Sequence, residues 1–413
     1  MRWQLRGLWK NPHFRQLWIG RSVSNLGNWI TGIALPLTAV LVLSATPAQM
    51  SILSALNGIA VLFFGLVAGV WVDRLRRRPI LIITDLGRAL LISSIPVTAL
   101  LGVLHIEQLY IVTALVGVLT VFFNAADASF LPTLVQPQEL VEGNSKLGIS
   151  DSLAEIIGPA LGGVLVQAFS APLAIVIDAL TFLWSALCFA RIRTEEPSIA
   201  VKQRRNAWVE GIEGLHFVLK SPQLRALAIS AGLFNFFGMF IGTLYAFYVV
   251  RELGAAPIIL GLLTAAGGLS ALVGAALAER VIRRMGLGLT AGAALAIYGL
   301  MGLLLPLANG PVIVVITLLF ISQLVGDSAI SIHLIAELSL RQMLVPHHLL
   351  GRVNASFQFL TLGIAPFGAL LAGVIAELGS VRLTLLIGVL GVISAGLTLL
   401  FSPVRQVRDA ERI

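Results

Sequence analysis

Ionisable side chains that interrupt long apolar runs are the residues of this chain best placed to do chemistry. Arg21, Asp85, Arg88, Asp127, Asp151, Glu155 and Asp327 all sit inside such runs. A charge facing lipid costs at least about 2.5–3.5 kcal/mol, so each of these must meet a partner or water. Asp85 and Arg88 stand three apart, and Asp151 and Glu155 four apart, so each pair shares one face of a helix. Arg21, Asp85, Arg88, Asp127 and Asp151 fall at similar depth in their runs and read as one cluster of ion pairs. A fixed polar plug that only ties helices together is the plain alternative. Glu155 and Asp327 fall nearest the middle of their runs. A carboxylate there can take up a proton in one conformation and release it in another. The proton-coupling candidates are therefore Glu155 and Asp327, and behind them Asp151 and Asp127. A carboxylate simply satisfied by an arginine or backbone group weighs equally.

No enzyme constellation accompanies these groups, and no catalytic residue is assigned. His347 and His348 adjoin each other without a cysteine or carboxylate ligand set, so no metal site is expected. The glycines lie in apolar helices rather than in a phosphate-cradling loop, and no cofactor is expected.

The elements that must position the charges are membrane helices. Hydrophobic residues make up 57% of the 413 positions and charged residues only 12%, against about 25% charged in a soluble domain. Apolar runs of membrane-crossing length recur twelve times, separated by breakers such as Thr46-Pro47, Ala171-Pro172, Ala256-Pro257 and Asn309-Gly310-Pro311. The expected fold is all-α and polytopic. It comprises a six-helix bundle over 1–191, a cytoplasmic linker over 192–221 and a second six-helix bundle over 222–413. Within the linker, Trp208, Ile212, Leu215 and Leu219 repeat at helical spacing, which predicts an amphipathic helix lying on the membrane.

Arginine and lysine gather at alternate connections, and only Arg251 and Arg382 fall in the other set. The positive-inside rule then places both termini and the central linker in the cytoplasm. The net charge of +8 is spread between apolar segments and gives no nucleic-acid signal. Cys188 stands alone, so no intrachain disulfide is available. No cleavable leader is expected near Met1–Arg15. Lysine occurs only at 10, 146, 202 and 220. That scarcity beside abundant arginine hints at a GC-rich bacterial genome, and so at a bacterial plasma (inner) membrane.

One motif is written twice. Gly69, Asp73, Arg74, Arg77 and Arg78 follow the second run, and Glu279, Arg280, Arg283 and Arg284 repeat the acid–Arg–x–x–Arg–Arg register half a chain later. The first copy resembles the G-x-x-x-D-R-x-G-R-R/K signature of the major facilitator superfamily, with Arg76 in place of its second glycine. Gly158, Pro159, Gly162 and Gly163 resemble the G-P-x-x-G-G core of that superfamily's antiporter motif. A packing kink without directional meaning is the alternative. Leu338 to Gln342, Leu350 to Ser356 and Pro366 to Ala369 resemble the branch of enterobactin exporters and macrolide efflux pumps.

The resemblance implies twelve helices in two bundles with nested inverted repeats. It makes the duplicated turn a conformational switch, with Asp73 capping the start of the eleventh helix near Gly351 and Arg352. The orientation set by the charges puts the Arg21, Asp85, Arg88, Asp127 and Asp151 cluster in the cytoplasmic third of its helices, near an inner gate. The resemblance also implies a central cavity lined by the first, second, fourth, fifth, seventh, eighth, tenth and eleventh helices. Asn25, Asn28, Trp29, Asn235, Phe236, Gln323 and Phe359 are the candidates to line it. The expected function is secondary active transport, with proton-coupled antiport efflux of a small amphiphilic or apolar molecule by a monomer in the lipid bilayer. The substrate could be a drug, a siderophore-like compound or another secondary metabolite. Two readings stay open beside it: uptake or uniport on the same fold, and a membrane receptor or assembly factor that transports nothing.

Overall fold

The computed structural model describes residues 7–72, 74–193, 207–346 and 349–407. Among them are twelve helices long and apolar enough to cross a membrane. In chain order the spans are Pro12–Val42, Pro47–Val72, Arg77–Leu100, Ile106–Thr133, Pro137–Ala168, Ala171–Arg191, Pro222–Glu252, Pro257–Met285, Leu287–Leu307, Val312–Leu344, Leu350–Leu378 and Val381–Leu400. Their starts carry the expected stop–start chemistry. Asn11 caps span one by accepting from the amides of His13 and Phe14, with Pro12 in the first turn. Ser170, Ser221 and Ser380 cap spans six, seven and twelve in the same way. Pro366 lacks a donor and its ring crowds the carbonyl four residues earlier. Span eleven is accordingly interrupted between Leu362 and Ala365.

Contacts divide the chain into two compact units. One comprises residues 1–45, 59–202 and 256–265; the other comprises 46–58, 203–255 and 266–413. The first part of span two therefore clusters with the second unit, and the first part of span eight with the first. Both segments fall across the boundaries expected from sequence.

In the first unit, span one packs on spans five and six, and span three on spans four and six. Its core gathers Phe14, Leu17, Leu81, Phe130 and Phe189. In the second unit, span seven packs on spans eleven and twelve, and span nine on spans ten and twelve. The two pairing schemes are the same one written twice. The repeat extends to backbone detail. Spans one and seven each end in a widened turn, Thr38–Val42 and Tyr248–Glu252. There Leu43 N–H reaches the Thr38 carbonyl at 3.3 Å, and Leu253 N–H reaches that of Tyr248 at 2.9 Å.

The linker contains a helix, Ala207–Lys220, and one of its faces packs on protein. Val218 is fully buried in the second unit's core with Val353 and Phe357. Gly214 lies flush against the Arg352 carbonyl and the Ser356 hydroxyl, leaving no room for a Cβ. Arg352 Nη1 donates to Glu213 Oε2 at 2.8 Å. One face of the helix thus covers the start of span eleven. The face turned to the protein carries Gly214 and Val218, whereas Leu219 of the predicted stripe stays half exposed and Leu215 is partly buried. Trp208 and Ile212 of the predicted stripe are not among the described side chains.

Candidate functional site

In the first unit the charged residues of spans one, four and five meet around a cavity of about 290 Å³. Arg21 lines it. One guanidinium nitrogen lies 3.0 Å from Asp127 Oδ2 and the other 2.8 Å from Asp151 Oδ2. Asn25, one turn further along span one, donates to Asp151 Oδ1 at 3.0 Å. Asp127 is buried, and its Oδ1 has no hydrogen-bond partner among the described residues. Glu155, Asn28, Trp29 and Asn124 also line the cavity. The site is a polar chamber inside an apolar bundle, with three carboxylates around one arginine.

Span five reaches this chamber because its glycines let it approach closely. A Cβ on Gly158 would strike that of Trp29, and one on Gly162 would press on the backbone of Ile30. Gly163 instead faces the start of span eight, against Pro257 and Gly261. Gly158, Pro159, Gly162 and Gly163 therefore act locally as a close-packing surface.

The five residues read from sequence as one cluster form two groups. Asp85 and Arg88 pair with each other deep in the packing of span three, with side chains 0% and 1% exposed. The Arg88 guanidinium is sandwiched by the rings of Phe123 at 4.1 Å and Phe182 at 4.3 Å. Arg88 pairs with neither Asp127 nor Asp151 as Arg21 does, although Asp127 and Asp178 lie within electrostatic reach. Asp178 is itself buried and accepts from the Thr181 hydroxyl at 3.1 Å.

The second unit holds a cavity of about 250 Å³ between spans seven, nine and ten. Tyr245 donates to Gln323 Oε1 at 3.2 Å, and the Gln323 amide donates to Asp327 Oδ2. Tyr298 closes the other side. Gly267 of span eight leaves Asp327 its place, because a Cβ there would occupy the position of the carboxylate.

The remaining cavity candidates lie elsewhere. Asn235 turns its amide back to the Ala231 carbonyl at 2.8 Å. Phe236 packs edge-on against Phe237 at 5.1 Å. Phe359 is 59% exposed, and none of the three lines either cavity. Sequence reasoning missed Asn124, Tyr298 and a ladder on span ten. In that ladder His333 Nδ1 lies 2.8 Å from the Ala291 carbonyl and Nε2 lies 3.8 Å from Glu337. Arg341 Nε lies 3.5 Å from Glu337 and its guanidinium covers Phe357 at 4.3 Å. The four-residue spacing of His333, Glu337 and Arg341 was the available signal.

In the duplicated turn, Asp73 lies outside the described residues, and Gly69 lies in the last turn of the span two helix, which ends at Val72. Arg77 donates to Ser129 Oγ at 3.1 Å. Arg78 donates to the Phe189 and Ala190 carbonyls, tying span three to the end of span six. Arg74 is exposed. In the second copy Glu279 and Arg283 form an exposed pair at 3.1 Å, and Arg280 and Arg284 are exposed as well. His347 and His348 also lie outside the described residues. No group of potential metal ligands occurs among the described ones.

A family model described as transmembrane secretion effector matches residues 8–413. An uncharacterized MFS-type transporter of Bacillus subtilis, YfiS, is 29% identical over 89% of this chain and 87% of its own length. The multidrug efflux pump Tap of Mycolicibacterium fortuitum is 28% identical over 91% of this chain and 92% of its own. The enterobactin exporter EntS of Salmonella typhimurium is 26% identical over 94% and 92%. Among solved structures, a bacterial homologue of the iron transporter ferroportin in an inward-facing state superposes with TM-score 0.75 at 19% identity. That match covers 94% of this chain and 98% of the other.

Proposed function

The chain belongs to the transmembrane secretion effector family of the major facilitator superfamily, and from that premise we propose that it exports a small amphiphilic molecule in exchange for protons. It is a multi-pass membrane transporter and not an enzyme. The observation that carries the proton-exchange reading is the chamber of Arg21, Asp127, Asp151 and Glu155. Arg21 holds both aspartates most strongly while both are ionised. A proton arriving on either one removes its negative charge, leaves a weaker neutral acceptor and so loosens one arm of the guanidinium. Spans four and five are then no longer tied through span one, and the bundle can rearrange. Asn25 donates to Asp151, so proton occupancy also reorients an amide that lines the chamber. In this reading Glu155, exposed to the chamber, exchanges protons with water, and Asp127 and Asp151 register the result.

The names of the efflux pump and the exporter among the relatives support the outward direction. The charge pattern supports a bacterial inner-membrane location with both termini in the cytoplasm. The protein works as a monomer, each unit contributing one cavity. Everted vesicles carrying the purified chain test the reading against ethidium, erythromycin and a catecholate. Uptake of at least one that collapses with the pH gradient is expected. Uptake indifferent to the gradient contradicts proton exchange.

A further inference from the structure

We propose that the segment ahead of span one, residues 7–11, is a clasp that limits how far spans one and five can part beside the chamber, with Trp9 and Lys146 as the positioning residues that hold it shut. The inference deepens the proton-exchange reading. It rests on that reading for what parting the spans achieves, and on the contacts of the segment for the clasp itself. The seam between spans one and five is built in successive stretches. Around Gly158 and Gly162 it is steric, with Trp29 and Ile30 pressed against glycines. Further along it is polar, where Arg21 and Asn25 hold Asp151. Beyond the bridge, Trp18 Nε1 donates to the Lys146 carbonyl at 3.4 Å. The steric stretch acts as a fulcrum, and the polar stretch loosens when a proton neutralises Asp151. How far the spans then part is decided at the last stretch, at the end that the arginine pattern assigns to the cytoplasm.

There the chain lies against span five before it enters span one. Gly7 takes a left-handed φ of 58°, and a Cβ on it would strike the Glu142 carboxylate. Leu8 N–H donates to Glu142 Oε1 at 3.1 Å. The Leu8 side chain, 1% exposed, is sunk in the core with Leu131 and Leu147. The Lys146 ammonium stands 4.4 Å from the centroid of the Trp9 ring and 3.0 Å from Glu142 Oε1. The Trp9 ring meets Trp18 edge-on at 4.9 Å. Asn11 Nδ2 donates to the Leu134 carbonyl at 3.0 Å, which fixes the far end of the segment on the connection between spans four and five. Lys146 joins the parts. Its carbonyl accepts from Trp18 of span one, and its ammonium serves both Trp9 and Glu142. A half-buried ammonium gains from a ring face as well as from a carboxylate, so ring and cation hold the clasp together. None of Trp9, Glu142 and Lys146 lines the chamber. Removing the ring or the ammonium therefore releases the clasp and leaves the chamber residues in place.

The test is thiol accessibility in the chamber, read on the purified full chain in nanodiscs with neither substrate nor pH gradient. Ser24, 2% exposed in the chamber wall, is replaced by cysteine in a Cys188→Ser chain. Adducts of N-ethylmaleimide are counted by intact-protein mass spectrometry. Labelling proceeds through local opening, so Trp9→Ala and Lys146→Met should each speed it about fivefold or more. Trp9→Phe and Lys146→Arg, which keep a ring and a cation, should stay within about twofold of the parent rate. Cys188, 1% exposed on span six, reports general loosening in chains that keep Ser24, and its labelling should stay slow. A parent rate in either Trp9→Ala or Lys146→Met overturns the proposal. So does a Lys146→Arg chain as reactive as Lys146→Met, or equal acceleration at Cys188. Accessibility is measured without proton movement, so a failure of proton exchange leaves this result intact. A chain that exchanges protons while both variants label at the parent rate refutes the clasp alone.

Discussion

Replacing Arg21 by glutamine separates the contributions of the two carboxylates it joins. The Arg21–Asp127 contact is made by side chains 27% and 10% exposed, and the Arg21–Asp151 contact by side chains 27% and 35% exposed. Hydrogen bonds to charged groups contribute about 1.5–3 kcal/mol, exposed pairs about 0.2–1, and stranding one partner of a fully buried pair costs about 3–5. Asp127 stands nearer the buried limit, so its contact is worth ~2 kcal/mol. Asp151 is wetter and keeps Asn25, so its contact is worth ~1 kcal/mol by the same bounds. Arg21→Gln should then destabilise by about 3 kcal/mol, and Asp127→Asn by about 2. The double variant should cost about 3 rather than 5, because Asp127 no longer carries a charge to be stranded and only the Asp151 contact is lost in addition; the coupling is about 2 kcal/mol. Unfolding in mixed detergent–SDS micelles measures each corner of the cycle. Strict additivity of the two substitutions would refute the bridge. So would a cycle in which Asp151→Asn couples to Arg21 more strongly than Asp127→Asn does.

Three further outcomes follow from named contacts. Arg88→Met should cost about 3–5 kcal/mol by stranding Asp85, and Asp85→Leu in the same chain should return a large part of it; thermal stability of the single and double variants reads this. Gly214→Val should push the linker helix off span eleven, because the Arg352 carbonyl and Ser356 hydroxyl occupy the space. Limited proteolysis should then cut near the linker faster than in the parent chain, whereas Gly232→Val, with nothing near its Cβ, should not change the pattern. Cysteine placed at Gly310 in a Cys188→Ser chain should react with an impermeant maleimide on intact cells, and cysteine at Gln223 only after permeabilisation; the reverse pattern overturns the orientation read from arginine placement.

The spans were legible because apolar length and breakers are written in the chain itself. Asp85 with Arg88 was legible for the same reason: spacing on one helix fixes which side chains share a face. The partner of Arg21 and the isolation of Arg88 were less so. Those depend on how each helix is rotated toward its neighbours, and Phe123 and Phe182, which enclose Arg88, lie on two other spans. The second cavity was half visible. Gln323 and Asp327 stand out as polar residues in an apolar run, but Tyr298 is an ordinary aromatic until span nine is set beside span ten. Phe236 and Phe359 show the converse, since aromatic character alone says nothing of which surface a ring meets. On the linker helix the sequence marked the stripe of Leu215 and Leu219 but not the opposite contact, where Gly214 and Val218 meet span eleven.

The central claim is that carboxylates in the first unit exchange protons for substrate. Proteoliposomes loaded with the pH indicator pyranine, carrying the purified chain and given ethidium as probe, measure both movements together. Ethidium accumulation accompanied by proton counterflow, with both lost in the Glu155→Gln, Asp127→Asn double variant, is the predicted result. Ethidium transport that proceeds at the parent rate in that variant, with proton movement unchanged, would contradict it.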